Sequence, residues 1–224
     1  MKQFLFSNVT LADLKSLVEI EECGVMSHDW VQADQILLTR DEQRQVQDVR
    51  SRLVNYRTQL MNEATVWARA IYPLLVLAEQ DSIQAWAEVA LRGRYSTFEL
   101  SGIVDGVLGK GLSGEIEAPY LVIVEAKRGI EAQNPQYQLY AEILAAAKMN
   151  WELDRQDPQI MFGCYTVADI WTFVKAEVAG MESDRPLLRL EPSREYSEKL
   201  EAETILKILK QIVTQRLAYL SAAA

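Results

Sequence analysis

The chain has 224 residues, of which 49% are hydrophobic and 25% charged, and its formal net charge is −9. That supplies enough apolar matter for one sizeable core, while the acidic balance excludes a surface that coats nucleic acid broadly, though not a local groove that grips phosphates. No apolar run reaches about 18 residues, so no transmembrane helix is expected, and the first twenty residues lack the pattern of a signal peptide, which makes the cytoplasm the expected location.

In chain order, "TLADLKSLVEIEE" (10–22) predicts a short helix, with Thr10 as N-cap and Leu11, Leu14, Leu17 and Val18 on one face. Residues 23–38 leave room for a short strand. Thr39 followed by Glu42 matches a capping box and opens a long helical period. Pro73 should break that period into two packed pieces, because proline removes an amide donor and clashes with the preceding turn.

From about residue 83 the pattern alternates and carries regular glycines, predicting two or three antiparallel strands. "YLVIVEAK" (120–127) is apolar on both faces and predicts a central strand. Pro135 then sits where a helix through about Met149 would start. Residues 159–178 return to strands with a bend near "VAD", and "PLLRLEP" adds another. An amphipathic helix closes the chain, with Leu200, Ile205, Ile208, Leu209, Ile212 and Leu217 on one side. The order implies an α/β or α+β mixed sheet between helices, with 1–58 as a helical extension packed on a core formed by 59–224.

Chemistry concentrates at the end of the central strand. Side chains two apart share a face, so Glu125 and Lys127 point together on the side of Leu121 and Ile123. Charges ending a buried strand are costly unless paired or bound to something. Upstream, Asp105 follows an apolar pair at the end of the adjoining strand segment. Two carboxylates converging there would suit a divalent cation such as Mg²⁺ or Mn²⁺. The competing reading makes Asp105-Gly106 a hairpin turn. Elsewhere the sequence offers little. Cys23 and Cys164 are far apart, and the single His28 has no partner nearby for a triad or a zinc site.

"GIVDGV", "YLVIVEAK" and a following helix with early Gln and Tyr resemble the PD-(D/E)XK nuclease superfamily, whose fold is restriction-endonuclease-like. Glu125-Ala126-Lys127 matches the E-x-K motif, and Gly102 to Asp105 matches G-x-x-D. Val104 stands where the proline of the family motif would be. Gln136 and Tyr140 satisfy a Q-x-x-x-Y spacing, as do Gln133 and Tyr137, and Gln138 is a further candidate. Glu63 answers to a helical acid found in family members, with Glu88 and Glu99 as rivals. The motifs cover roughly residues 60–178.

The resemblance implies a metal-dependent DNA endonuclease or exonuclease. Asp105, Glu125 and the Ala126 carbonyl would hold Mg²⁺ (or Mn²⁺), Lys127 would position water, and Gln136 or Gln138 would orient water or phosphate. Arg92, Arg94, Lys110 and Arg128 are candidate phosphate contacts. The alternative is a catalytically silent binding or assembly module of the same fold, whose terminal helices offer a homodimer interface.

Overall fold

A computed structural model of the protein describes residues 1–25, 28–129 and 134–223, the side chains of 219–223 excepted. Along the chain run β1 (Lys2–Leu5), α1 (Leu11–Leu17), β2 (Glu19–Glu22), α2 (Arg40–Val54), α3 (Glu63–Val66) and α4 (Tyr72–Leu77). They are followed by β3 (Ile83–Arg94), β4 (Phe98–Leu112), β5 (Glu115–Lys127), α5 (Gln136–Asp154), β6 (Gln159–Val167), β7 (Ile170–Ala179), β8 (Leu187–Ser197) and α6 (Glu198–Ala223). The strands form one 8-stranded mixed sheet in the order β1-β4-β5-β6-β7-β8-β2, with β3 on the other side of β4. The expected mixed α/β sheet between helices is therefore present.

Two apolar layers cover the sheet. On one face Leu53, Leu74, Ile205 and Leu209 pack against Val122, Val124 and Leu108, so α2, α4 and α6 cover that side. On the other, Leu139, Ile143 and Leu144 of α5, with Leu14 and Leu17 of α1, pack against Ile123, Val104 and Val107. β5 runs through the middle, and burying each of its branched residues contributes roughly 1.5–3 kcal/mol. The β5–α5–β6 unit brings β6 parallel to β5, with Glu125 beside Tyr165 and Ala126 beside Thr166.

Several local expectations change. The segment 10–22 is not one helix: α1 ends at Leu17, and β2 then pairs in parallel with β8, from Glu19 beside Leu187 to Glu22 beside Leu190. Lys2–Leu5 is a strand on β4, so the first 58 residues give the sheet two of its strands. Residues 29–31, in the stretch that left room for a short strand, make a 3₁₀ turn. The capping box at Thr39 forms as expected, and the long helical period breaks at Asn55 as well as restarting at α4, whose first turn carries Pro73. Pro73 lies in the first turn of α4, directly after the π-turn Trp67–Ile71 that interrupts the regular helix ahead of it. Leu200 is 74% exposed and does not share the apolar side of α6. Leu121 belongs to the layer opposite Ile123, because the β4–β5 register slips between Leu108 and Gly109, inserting an extra residue that inverts the alternation.

Asp105 is in the body of β4, and the β4–β5 turn is at Ser113 and Gly114, both with positive φ. The hairpin reading of Asp105-Gly106 is thereby overturned. Within the described residues no helix is long and apolar enough to cross a membrane.

Candidate active site

β4 has a divided edge. Its first part, Phe98–Ser101, is paired with β1, and its last part, from Gly106 onward, is paired with β5. Asp105 stands at the mouth of the interval between them. The ladder to β5 ends at Gly106 opposite Val124, and the next free β5 amide, that of Ala126, donates instead to Oδ2 of Asp105 at 2.8 Å. A side-chain carboxylate thus replaces a backbone acceptor where the strands part. In an extended strand the N–H and C=O of one residue point to the same side, so the Ala126 carbonyl faces this interval as well.

The aim of Asp105 comes from a paired distortion. In β3, Ala85 packs on the α4 side and Ala87 lines the cleft beside Trp67, yet Val89 and Leu91 pack on the α5 side. All four have the same parity, so the strand changes face between Ala87 and Val89. The residue at the change, Glu88, has φ of +53°, a strained value for a side chain with a Cβ. Its neighbours pair with Gly106 and Val104, which places Glu88 opposite Asp105. β4 changes face at the same level, since Val104 and Val107 both belong to the α5 layer. Asp105 is the pivot. Gly106 is needed beside it, because a Cβ there would lie 2.3 Å from the Trp67 ring.

Asp105, Ala126, Glu63, Glu88, Ala87 and Trp67 line a cleft of about 360 Å³. Glu63 begins α3, with Asn62 capping the helix by accepting the Thr65 N–H at 2.8 Å. Glu63 and Glu88, two of the three acids the sequence could not rank, both border the cleft. Glu99 does not: it is buried against Arg92, 2.9 Å away, near the start of β4.

Glu125 and Lys127 share a face as expected and form an ion pair. Glu125 is fully buried on the α5 side, where it meets Glu142, also fully buried. Glu142 accepts the Gln138 amide at 3.0 Å. Taken as two ionised groups, Oε2 of Glu125 and Oε2 of Glu142 lack a donor. A proton held between the two carboxyls supplies it. Burial pushes Glu142 well above the usual carboxylate range, with the charge of Glu125 adding to the effect. Burial and the neighbouring Asp105 raise Glu125 to about 7, against the pull of Lys127. Burial likewise raises Asp105, partly offset by the Ala126 amide and Lys127. Lys127 is lowered by burial, but the Glu125 carboxylate outweighs this and holds it above its ordinary value.

The two glutamines separate. Gln138 reaches the acids through Glu142. Gln136 donates to the Tyr140 hydroxyl at 2.6 Å, and Tyr140 is buried in the neighbourhood of Tyr165 and Glu22. Among the described residues neither member of that pair hydrogen-bonds Glu125 or Lys127. Gln133, the other candidate, lies outside the described residues. Glu142 was not anticipated. Its trace in the sequence is a single carboxylate among the apolar turns of "YAEILAAAK", four residues after Gln138.

Among the described residues no three of His, Cys, Asp and Glu gather as metal ligands. A cation between Asp105 and Glu125 would rest on two carboxylates, one carbonyl and its own water, a donor set suited to Mg²⁺, which retains several waters; of these groups Asp105 and Ala126 line the cleft, whereas Glu125 is buried on the α5 side. The raised pKa values of Glu125 and Asp105 fit such a group, because they record negative charge gathered without enough positive charge to balance it. No protein-family model matches the chain, and no curated protein matches its sequence.

Proposed function

We propose that the chain is a metal-dependent nuclease of the PD-(D/E)XK kind, with a restriction-endonuclease-like core, that hydrolyses DNA phosphodiester bonds. The observation that carries this reading is the placement of Asp105 on the strand next to the Glu125-Ala126-Lys127 motif, joined to it through the Ala126 amide. Asp105, Glu125 and the Ala126 carbonyl would hold Mg²⁺ or Mn²⁺. The cation supplies positive charge at a phosphoryl oxygen and acidifies bound water. Lys127, fixed by Glu125, donates hydrogen bonds to the attacking water and to the phosphate oxygen on which charge develops. Glu142 and Gln138 hold Glu125 from behind. Glu63 and Glu88 stand at the rim, where each repels a second anion and so confines a phosphate to the cation.

Incubation of linear and circular DNA with Mg²⁺ or Mn²⁺ tests the assignment. Wild-type protein should cleave, and Lys127→Ala and Asp105→Asn should each lose about 100-fold or more in rate. Cleavage that persists in Lys127→Ala, or no cleavage with either cation, sinks it.

One observation favours a second reading, a silent module of the same fold. Lys127 already neutralises Glu125, and Glu142 already covers it from the α5 side. In that case the protein binds DNA or a partner without cleaving, and Mg²⁺ leaves its melting temperature unchanged.

A further inference from the structure

Two helical segments flank a groove on the outer side of the wall that encloses the Asp105 cleft. Along α2, Gln45, Val49 and Arg52 recur at helical spacing, with Tyr56 just beyond its end. Facing them is the continuous helical run 63–77, in which α3 passes through a π-turn (Trp67–Ile71) into α4. Two adjoining cavities lie between, of about 310 and 340 Å³, both lined by Val49, Arg52 and Pro73. Trp67 of the π-turn borders the Asp105 cleft, and the next two residues, Ala68 and Arg69, line the groove. The two spaces are thus back to back across one helical turn. π-turns of this kind recur at functional sites.

The charge of the groove is unlike that of the chain. Arg69 lies over the Tyr56 ring, 4.9 Å from its centroid, which fixes its planar guanidinium before any ligand arrives. Among the described residues, neither Arg52 nor Arg69 has a carboxylate within ion-pair distance, although the chain carries 32 acids against 23 Lys and Arg. The one acid of the groove, Asp48, lines one cavity together with Arg52, four residues further along α2, and does not line the cavity that holds Arg69. Of the arginines and lysines near the nuclease motifs in sequence, by contrast, Arg92 is paired with Glu99 and Lys110 with Glu117. Cations kept unpaired in an acidic protein are suited to an external anion. Two guanidiniums on an apolar floor of Val49 and Pro73, with an aromatic ring alongside, match a phosphodiester backbone and its sugars.

We propose that this groove holds the phosphodiester backbone of the nucleic-acid strand presented to the Asp105 cleft, with Arg52 and Arg69 as its phosphate contacts. The proposal deepens the nuclease reading by naming where the substrate's backbone lies. The overall negative charge disfavours broad binding along the rest of the surface.

Fluorescence anisotropy of a labelled single strand and of its duplex, measured in EDTA over a range of salt, tests the groove without cleavage. Wild-type protein should bind, and Arg52→Ala/Arg69→Ala should weaken binding by about tenfold or more and lower the salt slope by about 1.5. Arg52→Lys/Arg69→Lys, which keeps the charge, should retain most of the salt slope. Lys15→Ala, at an exposed lysine of α1 on the opposite face of the sheet, should change nothing. Circular dichroism and melting temperature establish that each variant is folded. The proposal is overturned if the double alanine variant binds as wild type does, if wild type binds neither form, or if polyglutamate competes as well as DNA at equal charge. The nuclease reading fails separately. Lys127→Ala that abolishes cleavage, in a protein whose DNA affinity ignores the arginine pair, removes the groove alone. Arginine-dependent binding without any cleavage removes the nuclease alone.

Discussion

Asp105 and Ala126 are joined by a hydrogen bond of 2.8 Å, from a backbone amide of one central strand to the side chain of the next. It closes the β4–β5 ladder where the strands diverge, and it holds one oxygen of Asp105 in place while leaving the other toward the cleft. The bond therefore serves the fold and the site together, and substitutions can separate the two roles. Asp105→Asn keeps an acceptor for the Ala126 amide and should cost well under 1 kcal/mol. Asp105→Ala strands that amide and should cost about 1–3 kcal/mol. Urea unfolding of the two variants gives the comparison, and equal stabilities would show that the bond contributes nothing.

The Glu125–Glu142 pair sets a pH dependence. Both acids have folded-state pKa values above their ordinary 4.5, Glu125 at about 7 and Glu142 raised well above it by burial and by the charge of Glu125. Between pH 4.5 and 7 the folded protein therefore holds more protons than the unfolded chain, and stability falls as pH rises through that window. The slope approaches about 1.4 kcal/mol per pH unit for each group wholly protonated in the fold and ionised in the unfolded chain. Glu142→Gln removes one titration and leaves an amide that can donate to Glu125. Its melting temperature should fall less between pH 5 and 8 than that of wild type. Parallel curves would rule out the shared proton.

Cation binding should be linked to the same protons. A divalent ion on Asp105 and Glu125 needs both carboxylates ionised, so Mg²⁺ must displace the proton that Glu125 retains below about pH 7. Stabilisation by a fixed Mg²⁺ concentration should be larger at pH 8 than at pH 6, reaching roughly 2.7 kcal/mol where the ion is at 100 times its Kd. Glu125→Gln should abolish it. A Mg²⁺ effect independent of pH, or surviving in that variant, would place the ion elsewhere.

Gly106 and Trp67 form the wall between the cleft and the sheet. Alanine at position 106 puts a methyl group 2.3 Å from the indole ring. The ring must turn or the strand must bend, at a cost of about 1–3 kcal/mol. Gly106→Ala should lower stability by that amount and shift the Trp67 fluorescence, whereas Gly106→Ala combined with Trp67→Leu should recover part of the loss. No recovery would mean that the backbone itself requires glycine.

Local rules carried the sequence reading a long way. The unbroken apolar run and length of "YLVIVEAK" require a strand buried on both faces, and the period of two puts Glu125 and Lys127 on one face. The capping box at Thr39 and the β–α–β alternation around α5 are equally short-range, because each depends on residues within a few positions of one another. What only the tertiary structure decided depends on partners far away. β1 and β2 are four-residue strands whose pairing comes from β4 and β8, and nothing in their own residues supplies it. Asp105 is aimed by a change of face that it shares with Glu88 on another strand, and a strict period of two would have turned it toward α5. Glu142 joins the site because α5 lies across β5, which brings a carboxylate seventeen positions down the chain against Glu125. Alternation orients a side chain relative to its own strand, but convergence of charges is a property of how strands and helices pack, and packing is settled by the whole core.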